Sequence, residues 1–400
     1  MVDAAAPVEA VVHQETAAPG LDVAVHRHPE DALRAYAAAL PDTLQAPPQS
    51  TGWVAAWLSE TRPECLVAVL SRDGRPELAL ALEIVREGPC RVARFMGGRH
   101  ANGNFPAVRR GAEIGSDGIA ALIAGILRAA PDVDMIAFER LYESLDGAPN
   151  PLLQLPHRQS PNVSLAADLA GGFEALLGRV GGRRKRKKAR SQARRFEEAG
   201  GYRRFAASSS DDTNRLLDAF FSMKEERFRE MGIANVFGPA DVQAFFRRLF
   251  ADAIDQVPPP FVLHGLEVGG RLRAVTGASR RHDSLVCEFG SIAADELAAA
   301  SPGSFLFFLN IEEACQQGFR LYDFSVGDEP YKRLWCEVEI AHFDVLIPLT
   351  ARGRVIGLWK ALESRAKAAL KGSPAVWRLA KRLRRRVQAA ERSGTGATGG

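Results

Sequence analysis

The stretch that most constrains the fold runs from Ser301 to Trp335, because it combines a helix start, a helix end and a buried strand. Ser301 predicts an N-cap, and Pro302 suits the first helical position. Gly318 predicts the end of this helix. Residues 321–326 form a short run of apolar, aromatic and β-branched residues, which predicts a buried strand. A polar turn follows this strand, and such turns carry the ligand sites of α/β sheets.

Composition excludes several classes of protein. The length of 400 residues predicts two or three domains, and 46% hydrophobic with 25% charged residues is typical of a globular protein. No apolar window is long enough to predict a transmembrane helix. The five cysteines are an odd number without C-x-x-C spacing, which argues against a disulfide framework and a zinc site and favours a reducing compartment. No Walker A, H-E-x-x-H or G-x-S-x-G motif occurs.

Two halves of the chain share an order of motifs. D-G-R at 73–75 parallels G-G-R at 269–271, and A-R-F-M-G at 93–97 parallels C-E-F-G at 287–290. In each half the two motifs are followed by a loop, a helix and a buried strand. This shared order favours a duplicated α/β unit over chance similarity. The chain is predicted to divide into five segments. Residues 1–20 are a disordered N-terminus without a secretory signal, 21–146 a first domain, 147–162 a Pro-rich linker and 163–350 a second domain. Residues 351–400 are basic C-terminal helices with a flexible tail.

Positive charge is concentrated in two segments. The first is the run 183–188 with the arginines at 190, 194 and 195. It can be a solvated helix face, a nucleic-acid contact or a basic surface that faces the substrates. Arg184, Lys187 and Lys188 are the substrate-binding candidates in this run. The second is a basic amphipathic helix whose apolar face is formed by Val376, Trp377, Ala380, Leu383 and Val387. It can lie on an anionic membrane or dock on the protein itself.

Several strings carry a resemblance to a known fold. They are F-E-E-A-G-G-Y at 196–202, K-E-E-R-F-R-E-M-G at 224–232, S-P-G at 301–303, A-C-Q-Q-G at 314–318 and Y-D-F-S-V-G-D-E-P-Y-K at 322–332. Together they resemble the GNAT acetyltransferase domain of CelD-type cellulose-biosynthesis proteins and of the Fem-type tandem-GNAT group. The resemblance implies an α/β chain with mixed sheets and a tandem GNAT-like acyl-CoA N-acyltransferase fold, in which the N-terminal unit is degenerate.

The same resemblance implies an acyl donor. GNAT enzymes bind the coenzyme A pyrophosphate at a helix start with the pattern [R/Q]-x-x-G-x-[G/A], and only the first glycine, Gly303, matches here. The implied co-substrate is acetyl-CoA or another acyl-CoA, without a metal. A helix start can hold phosphate through its backbone amides, so Ser301, Gly303, Ser304 and Phe305 are the cofactor-binding candidates; the alternative is an ordinary capped helix. Fem-type relatives use aminoacyl-tRNA, which leaves the donor open.

Four residues are candidates for catalysis. Glu288 lies where a carboxylate could accept the acceptor's proton, or it is a surface residue on an edge strand. Asp323 stands among apolar neighbours and needs a partner, for which Lys332 is the nearest cation after a turn. Tyr331 could protonate a leaving thiolate, and Lys332 could hold a phosphate or carboxylate. Asp328 is a further substrate-binding candidate.

These observations predict an acyl-CoA-dependent N-acyltransferase, in the first place an acetyltransferase. The resemblance alone implies its acceptor, an amino sugar or another small amine of polysaccharide or cell-envelope synthesis. Two alternatives remain: a Fem-type transferase that uses aminoacyl-tRNA, and a non-catalytic accessory protein of exopolysaccharide or cellulose synthesis. The predicted location is cytoplasmic or peripheral to the inner membrane face, and nucleic acid is expected as a partner only in the tRNA alternative.

Overall fold

The computed structural model describes residues 20–372, which form two compact units. Of these, residues 20–158 together with 342–350 belong to the first unit. Residues 159–341 and 351–372 belong to the second. The predicted basic helix at 376–387 and most of the predicted disordered N-terminus lie outside the described residues. No helix within 20–372 is long and apolar enough to cross a bilayer.

The first unit is built on a mixed sheet with three helices. Its strands up to residue 159 are β1 (Leu21–His26), β2 (Thr43–Leu44), β3 (Glu64–Arg72), β4 (Arg75–Glu87), β5 (Cys90–Phe95), β6 (Ala107–Arg109), β7 (Met135–Tyr142), β8 (Ser144–Leu145), β9 (Ala148–Pro149) and β10 (His157–Gln159). Its helices are α1 (Pro29–Ala39), α2 (Thr51–Thr61) and α3 (Ser116–Ala129). The strand His342–Pro348 returns to pair with β7, so the main sheet contains both early and late parts of the sequence.

The sequence Asp73-Gly74 predicts a hairpin turn in the first unit, and the structure confirms it. Strands β3 and β4 pair in antiparallel register up to Arg72 and Arg75. Asp73 and Gly74 form the turn with φ values of +50° and +75°. Two consecutive positive φ angles suit the twist of a tight hairpin, and Asp-Gly adopts them at low cost.

The second unit holds a seven-stranded sheet in the order β12-β13-β14-β15-β16-β11-β17. Its strands are β11 (Ser164–Asp168), β12 (Tyr202–Ala206), β13 (Phe261–Val268), β14 (Arg271–Arg281), β15 (Ser284–Ile292), β16 (Leu321–Val326) and β17 (Val338–Ile340). The strand His342–Pro348 of the first unit is numbered β18. Its helices are α4 (Gly172–Arg179), α5 (Gly182–Glu198), α6 (Ser210–Met231), α7 (Ala240–Ile254), α8 (Pro302–Gln316) and α9 (Ala351–Gly372). All neighbouring pairs in this sheet are antiparallel except β15 with β16.

Two predicted details of the helices have different outcomes. Gly181 and Gly182 predict a break or bend in a long helix over 173–199, and the break is confirmed, since Gly181 has φ +79° and separates α4 from α5. The predicted N-cap role of Ser301 is wrong. Ser301 has φ +57° and ψ +60°, and its side chain makes no capping hydrogen bond. An N-cap residue has extended backbone angles, which this left-handed conformation does not provide.

Phe289 of β15 is the centre of an aromatic core on one face of the second sheet. Its ring centroid lies 4.2 Å from that of Phe220, 5.3 Å from that of Phe246 and 5.7 Å from that of Phe250. The ring also covers Gly277 of β14, where a Cβ atom would lie 2.2 Å from Phe289 Cζ. The absence of a side chain at Gly277 therefore allows β15 to pack closely against α6 and α7.

Candidate functional site

The parallel pair β15 and β16 opens towards its carboxyl end. The register runs through Ser284 with Leu321 and Leu285 with Tyr322, and its last pair is Val286 with Asp323. Both strands continue beyond that pair, to residues 292 and 326, without further pairing to each other. A gap between two strands at their carboxyl ends is where sheets of this class admit a ligand.

Glu288 forms a β-bulge at the start of this gap. Cys287 pairs with Ala278 and Phe289 pairs with Gly277, so Glu288 is the extra residue between them. The half-buried carboxylate accepts a 2.6 Å hydrogen bond from Ser279 Oγ. The alternative of a surface glutamate on an edge strand is wrong, because β15 lies between β14 and β16. A bulge redirects a side chain and removes its backbone from the regular ladder, as is common beside functional sites.

The start of α8 offers fewer free amides than the sequence suggested. The Ser304 and Phe305 amides both donate to the Ser301 carbonyl, at 3.0 Å and 3.3 Å. Phe305 is also buried, with its ring 5.4 Å from that of Phe196. The Gly303 amide and the Ser304 hydroxyl remain as donors, and Lys188 Nζ lies 3.0 Å from Ser304 Oγ. The group that would hold a phosphate here is therefore Gly303, Ser304 and Lys188.

Gln192 fixes the loop that leads into α8, and no motif in the sequence singles it out. Its buried amide donates to the Ala300 carbonyl at 2.7 Å and to the Ser301 carbonyl at 2.9 Å. Gly303 is constrained as well, since a Cβ atom there would lie 2.6 Å from Ile292 Cγ2. A bulky residue at Gly303 would thus disturb the protein itself, so this position cannot report on donor binding alone.

Asp323 is fully buried and has a different partner from the one expected. Its Oδ2 lies 3.6 Å from Arg281 Nη1, and its Oδ1 accepts a 2.7 Å hydrogen bond from the Ser325 amide. Burial raises the pKa of this carboxyl, while Arg281 and the Ser325 amide act in the opposite direction. The predicted pairing with Lys332 is wrong, because Arg281 at the end of β14, two strands away in the sheet, supplies the ion pair.

We expect Asp323→Asn to change how stability depends on pH. A carboxyl whose folded pKa is raised contributes most below its ordinary pKa, and the contribution falls as pH rises towards the folded pKa. The free energy of unfolding of the unmodified protein should therefore decline relative to that of Asp323→Asn over this window. Urea unfolding of both proteins from mildly acidic to neutral pH measures the difference. A difference that does not vary with pH would contradict this account.

Lys332 stabilises the turn after β16. Its ammonium donates to the Ser325 and Val326 carbonyls at 3.1 Å and 3.0 Å, and it lies 3.0 Å from Glu329 Oε2. Asp328, the substrate-binding candidate in this turn, accepts a 2.6 Å hydrogen bond from Arg333 Nε. Because its three N–H donors have internal partners, Lys332 is better suited to holding the turn than to holding a phosphate.

Tyr331 presents its ring at the surface beside the gap. It is 46% exposed and stacks on Phe307 of α8 with a centroid distance of 5.7 Å. Burial of the hydroxyl raises its pKa, and the nearby Cys287 and Glu329 add to the rise. A raised pKa keeps the phenol protonated at neutral pH, as a proton donor to a leaving thiolate requires.

Lys224 of α6 is a candidate that the sequence analysis did not single out. Its ammonium lies 5.6–5.7 Å from the ring centroids of Phe220, Phe228 and Phe237. Burial lowers its pKa to about 8, helped by Arg227 and opposed by Cys287 and Glu329. Cys287 and Glu329 also act on Tyr331, so Lys224 and Tyr331 share one electrostatic environment. A lysine with a lowered pKa among aromatic rings is a signal of a functional site that only the fold reveals.

The basic helix α5 places its cations in different surroundings. Arg184, Lys187 and Lys188 are all exposed, and Lys188 reaches α8 as described above. Lys185 donates to the Leu334 carbonyl at 2.6 Å and lies 4.4 Å from the centroid of the Trp335 ring. The structure thus connects one of the three substrate-binding candidates of this helix to the start of α8. No cluster of three or more metal-ligating side chains occurs among the residues the structure describes.

Comparisons with known proteins bear on the fold of the chain. Residues 183–333 match the family model of the acetyltransferase (GNAT) domain. The fold is that of a tandem GNAT acyltransferase. The FemX crystal structure superimposes with a TM-score of 0.50 at 12% identity, covering 82% of this chain and 97% of that chain. A conserved protein of unknown function from Bacteroides thetaiotaomicron gives a TM-score of 0.50 at 11% identity, covering 82% and 100%.

The match of residues 183–333 to an acetyltransferase domain supports an acyltransferase enzyme, and the GNAT fold in general implies an acyl-CoA co-substrate. Comparison with curated protein sequences found no significant match. The two structural likenesses lie at low identity and therefore support the fold alone. The predicted mixed α/β class with a tandem GNAT-like fold is confirmed.

Proposed function

We propose that this enzyme transfers an acyl group, in the first place acetyl, from acyl-CoA to an amine in the gap between β15 and β16. The observation that carries the proposal is the end of parallel pairing at Val286 and Asp323, followed at once by the bulge at Glu288. The start of α8, with Lys188 beside Ser304, supplies a cation and a hydroxyl for the donor's phosphates. These features support a site for a thioester and its phosphates in the second unit.

The proposed reaction forms one bond and breaks another. The lone pair of the neutral amine attacks the thioester carbonyl, and the resulting tetrahedral oxyanion collapses to an amide as the carbon–sulfur bond breaks. The amine loses one proton and the coenzyme A thiolate gains one, so charge and atoms balance. In our proposal Glu288 accepts the amine proton, and Tyr331 protonates the thiolate. Asp323 acts as a positioning residue, since its contacts are with Arg281 and the backbone.

Lys224 supports a more specific proposal for the acceptor. Its ammonium is half-buried, contacts three phenyl rings, and has no hydrogen bond or ion pair in the described part of the chain. A carboxylate or phosphate on the acceptor would supply the missing anionic partner. An amino sugar phosphate or an amino acid has both the amine and the anion. The CelD-type resemblance supports placing this acceptor in polysaccharide, cellulose or cell-envelope synthesis.

A second candidate is transfer of an aminoacyl group from tRNA, as in the Fem-type alternative. The exposed cations Arg184 and Lys187 on α5 favour it, because neutralising phosphates is the main source of affinity for nucleic acid. The likeness to FemX concerns the fold and does not choose between the donors. The predicted domain boundaries and the predicted membrane contact of residues 376–387 also remain proposals.

Release of free thiol tests the proposed function directly. The purified full-length enzyme is incubated with acetyl-CoA and a panel of amines that includes glucosamine 6-phosphate, and thiol is measured with a colorimetric reagent. We expect thiol release that depends on the amine and yields the corresponding amide. Transfer from aminoacyl-tRNA without any reaction of acyl-CoA would support the second candidate. A lack of turnover with either donor would support a non-catalytic accessory role.

A further inference from the structure

Helix α9 presents an apolar stripe to solvent. Four large side chains at i, i+3, i+4 and i+7 spacing are each 59–69% exposed: Val355, Leu358, Trp359 and Leu362. This spacing puts them on one side of the helix. Single exposed apolar residues are ordinary, but a contiguous row of four that includes a tryptophan marks an interaction surface.

The opposite side of α9 carries small residues that are less exposed than the stripe. Gly353 is buried, and Gly357 and Ala361, at successive spacings of four, are half-buried. The small residues of α9 thus lie opposite the stripe, and its large apolar residues are uncovered. Burial of these apolar side chains would normally stabilise the fold, so their outward position indicates that another surface covers them.

The charge of α9 identifies the kind of surface. Its sequence contains six cationic residues and a single acidic one, Glu363; the cations are Arg352, Arg354, Lys360, Arg365, Lys367 and Lys371. A second copy of α9 would bring together two surfaces of the same sign, and residues 373–400 are also predominantly basic. An anionic lipid surface offers the opposite sign and an apolar interior. Amphipathic helices that lie in a bilayer interface combine these features, a basic polar side with leucine and tryptophan on the other.

We infer that α9 docks the enzyme on an anionic membrane through Val355, Leu358, Trp359 and Leu362. This site is distinct from the predicted contact at 376–387, and it does not depend on the proposed reaction. The apolar stripe enters the headgroup boundary while the cations contact lipid phosphates. Such binding is expected to weaken with salt, because phosphate contacts between exposed charges are screened.

Sedimentation with lipid vesicles tests the inference on the full-length chain. The protein is mixed with vesicles of phosphatidylglycerol and phosphatidylcholine, or of phosphatidylcholine alone. We expect binding to the anionic vesicles and a loss of at least about tenfold in affinity for the double variant Leu358→Ser, Trp359→Ser. The matched control is Val257→Ser, since Val257 is 98% exposed and lies in another part of the second unit. This control should bind like the unmodified protein.

Three results would overturn the inference. The first is equal vesicle affinity of the double variant and the unmodified protein, which would assign any binding to residues after 372. The second is a complete lack of vesicle binding by the unmodified protein. The third is a dimer in size-exclusion chromatography that the double variant converts to a monomer, which would assign the stripe to a second copy of the chain.

Discussion

Replacement of Lys224 by methionine should raise the KM for an acceptor that carries a carboxylate or phosphate by about tenfold to a hundredfold. The loss of one hydrogen bond between charged groups costs about 1.5–3 kcal/mol, which corresponds to this range. Methionine keeps the length and apolar contacts of the side chain among Phe220, Phe228 and Phe237. The change should therefore affect acceptor binding more than folding. Steady-state kinetics with glucosamine 6-phosphate and with glucosamine measures the effect, and only the phosphorylated amine should respond.

The pH dependence separates this role of Lys224 from that of a base. Because its pKa is lowered to about 8, the ammonium is lost as pH rises through that value. The kcat/KM for an anionic acceptor should thus fall above about pH 8, whereas Lys224→Arg, which stays charged, should extend activity to higher pH. Activity that instead rises through pH 8, and is lost in the arginine variant, would show that neutral Lys224 acts as a proton acceptor.

Gly277→Ala should destabilise the second unit by about 1–3 kcal/mol or more. A Cβ atom at this position would lie 2.2 Å from Cζ of Phe289 and 2.6 Å from two further atoms of the same ring. The ring cannot move freely, because Phe220, Phe246 and Phe250 surround it. The variant must therefore shift β15 at the bulge, so thermal unfolding should begin at a lower temperature and acyl transfer should decline as well.

Gly290→Ala is the matched control for this prediction. Gly290 lies on β15 next to Phe289, and a Cβ atom there would be 3.4 Å from its nearest neighbour, Thr276 Cγ2. This distance is close to ordinary van der Waals contact, so the control should unfold within about 1 kcal/mol of the unmodified protein. Equal melting temperatures for the two variants would contradict the importance of the Gly277–Phe289 contact.

The sequence predicted the local elements well because their signals are local. Asp73-Gly74 indicated a hairpin turn, Gly181-Gly182 indicated a break between helices, and residues 321–326 indicated a buried strand; the structure has all three. Each signal depends on backbone conformation or on a short run of apolar residues. The resemblance added the tandem fold, which no periodicity in the sequence could establish alone.

The parts that the sequence did not predict depend on contacts between distant segments. Asp323 of β16 pairs with Arg281 at the end of β14. The two residues come together through the strand order β14-β15-β16, which is known only from the folded sheet. The pKa of Lys224 is lowered by burial, and the rings around its ammonium come from α6 and the following loop. Strand β18 pairs with β7, which lies more than 190 residues earlier in the chain. Nothing in the sequence of residues 342–348 indicates this partner. Side-chain environment and strand partners are properties of the folded chain.

Calorimetric titration of acetyl-CoA into the unmodified enzyme, Lys188→Met and Lys187→Met measures whether the start of α8 binds the donor. Lys188 contacts Ser304 at the start of α8, whereas its neighbour Lys187 is exposed and has no hydrogen bond or ion pair within the described residues. We predict saturable binding to the unmodified enzyme, about tenfold weaker binding to Lys188→Met, and unchanged binding to Lys187→Met. The account would be contradicted if the unmodified enzyme did not bind acetyl-CoA, or if both variants lost affinity equally.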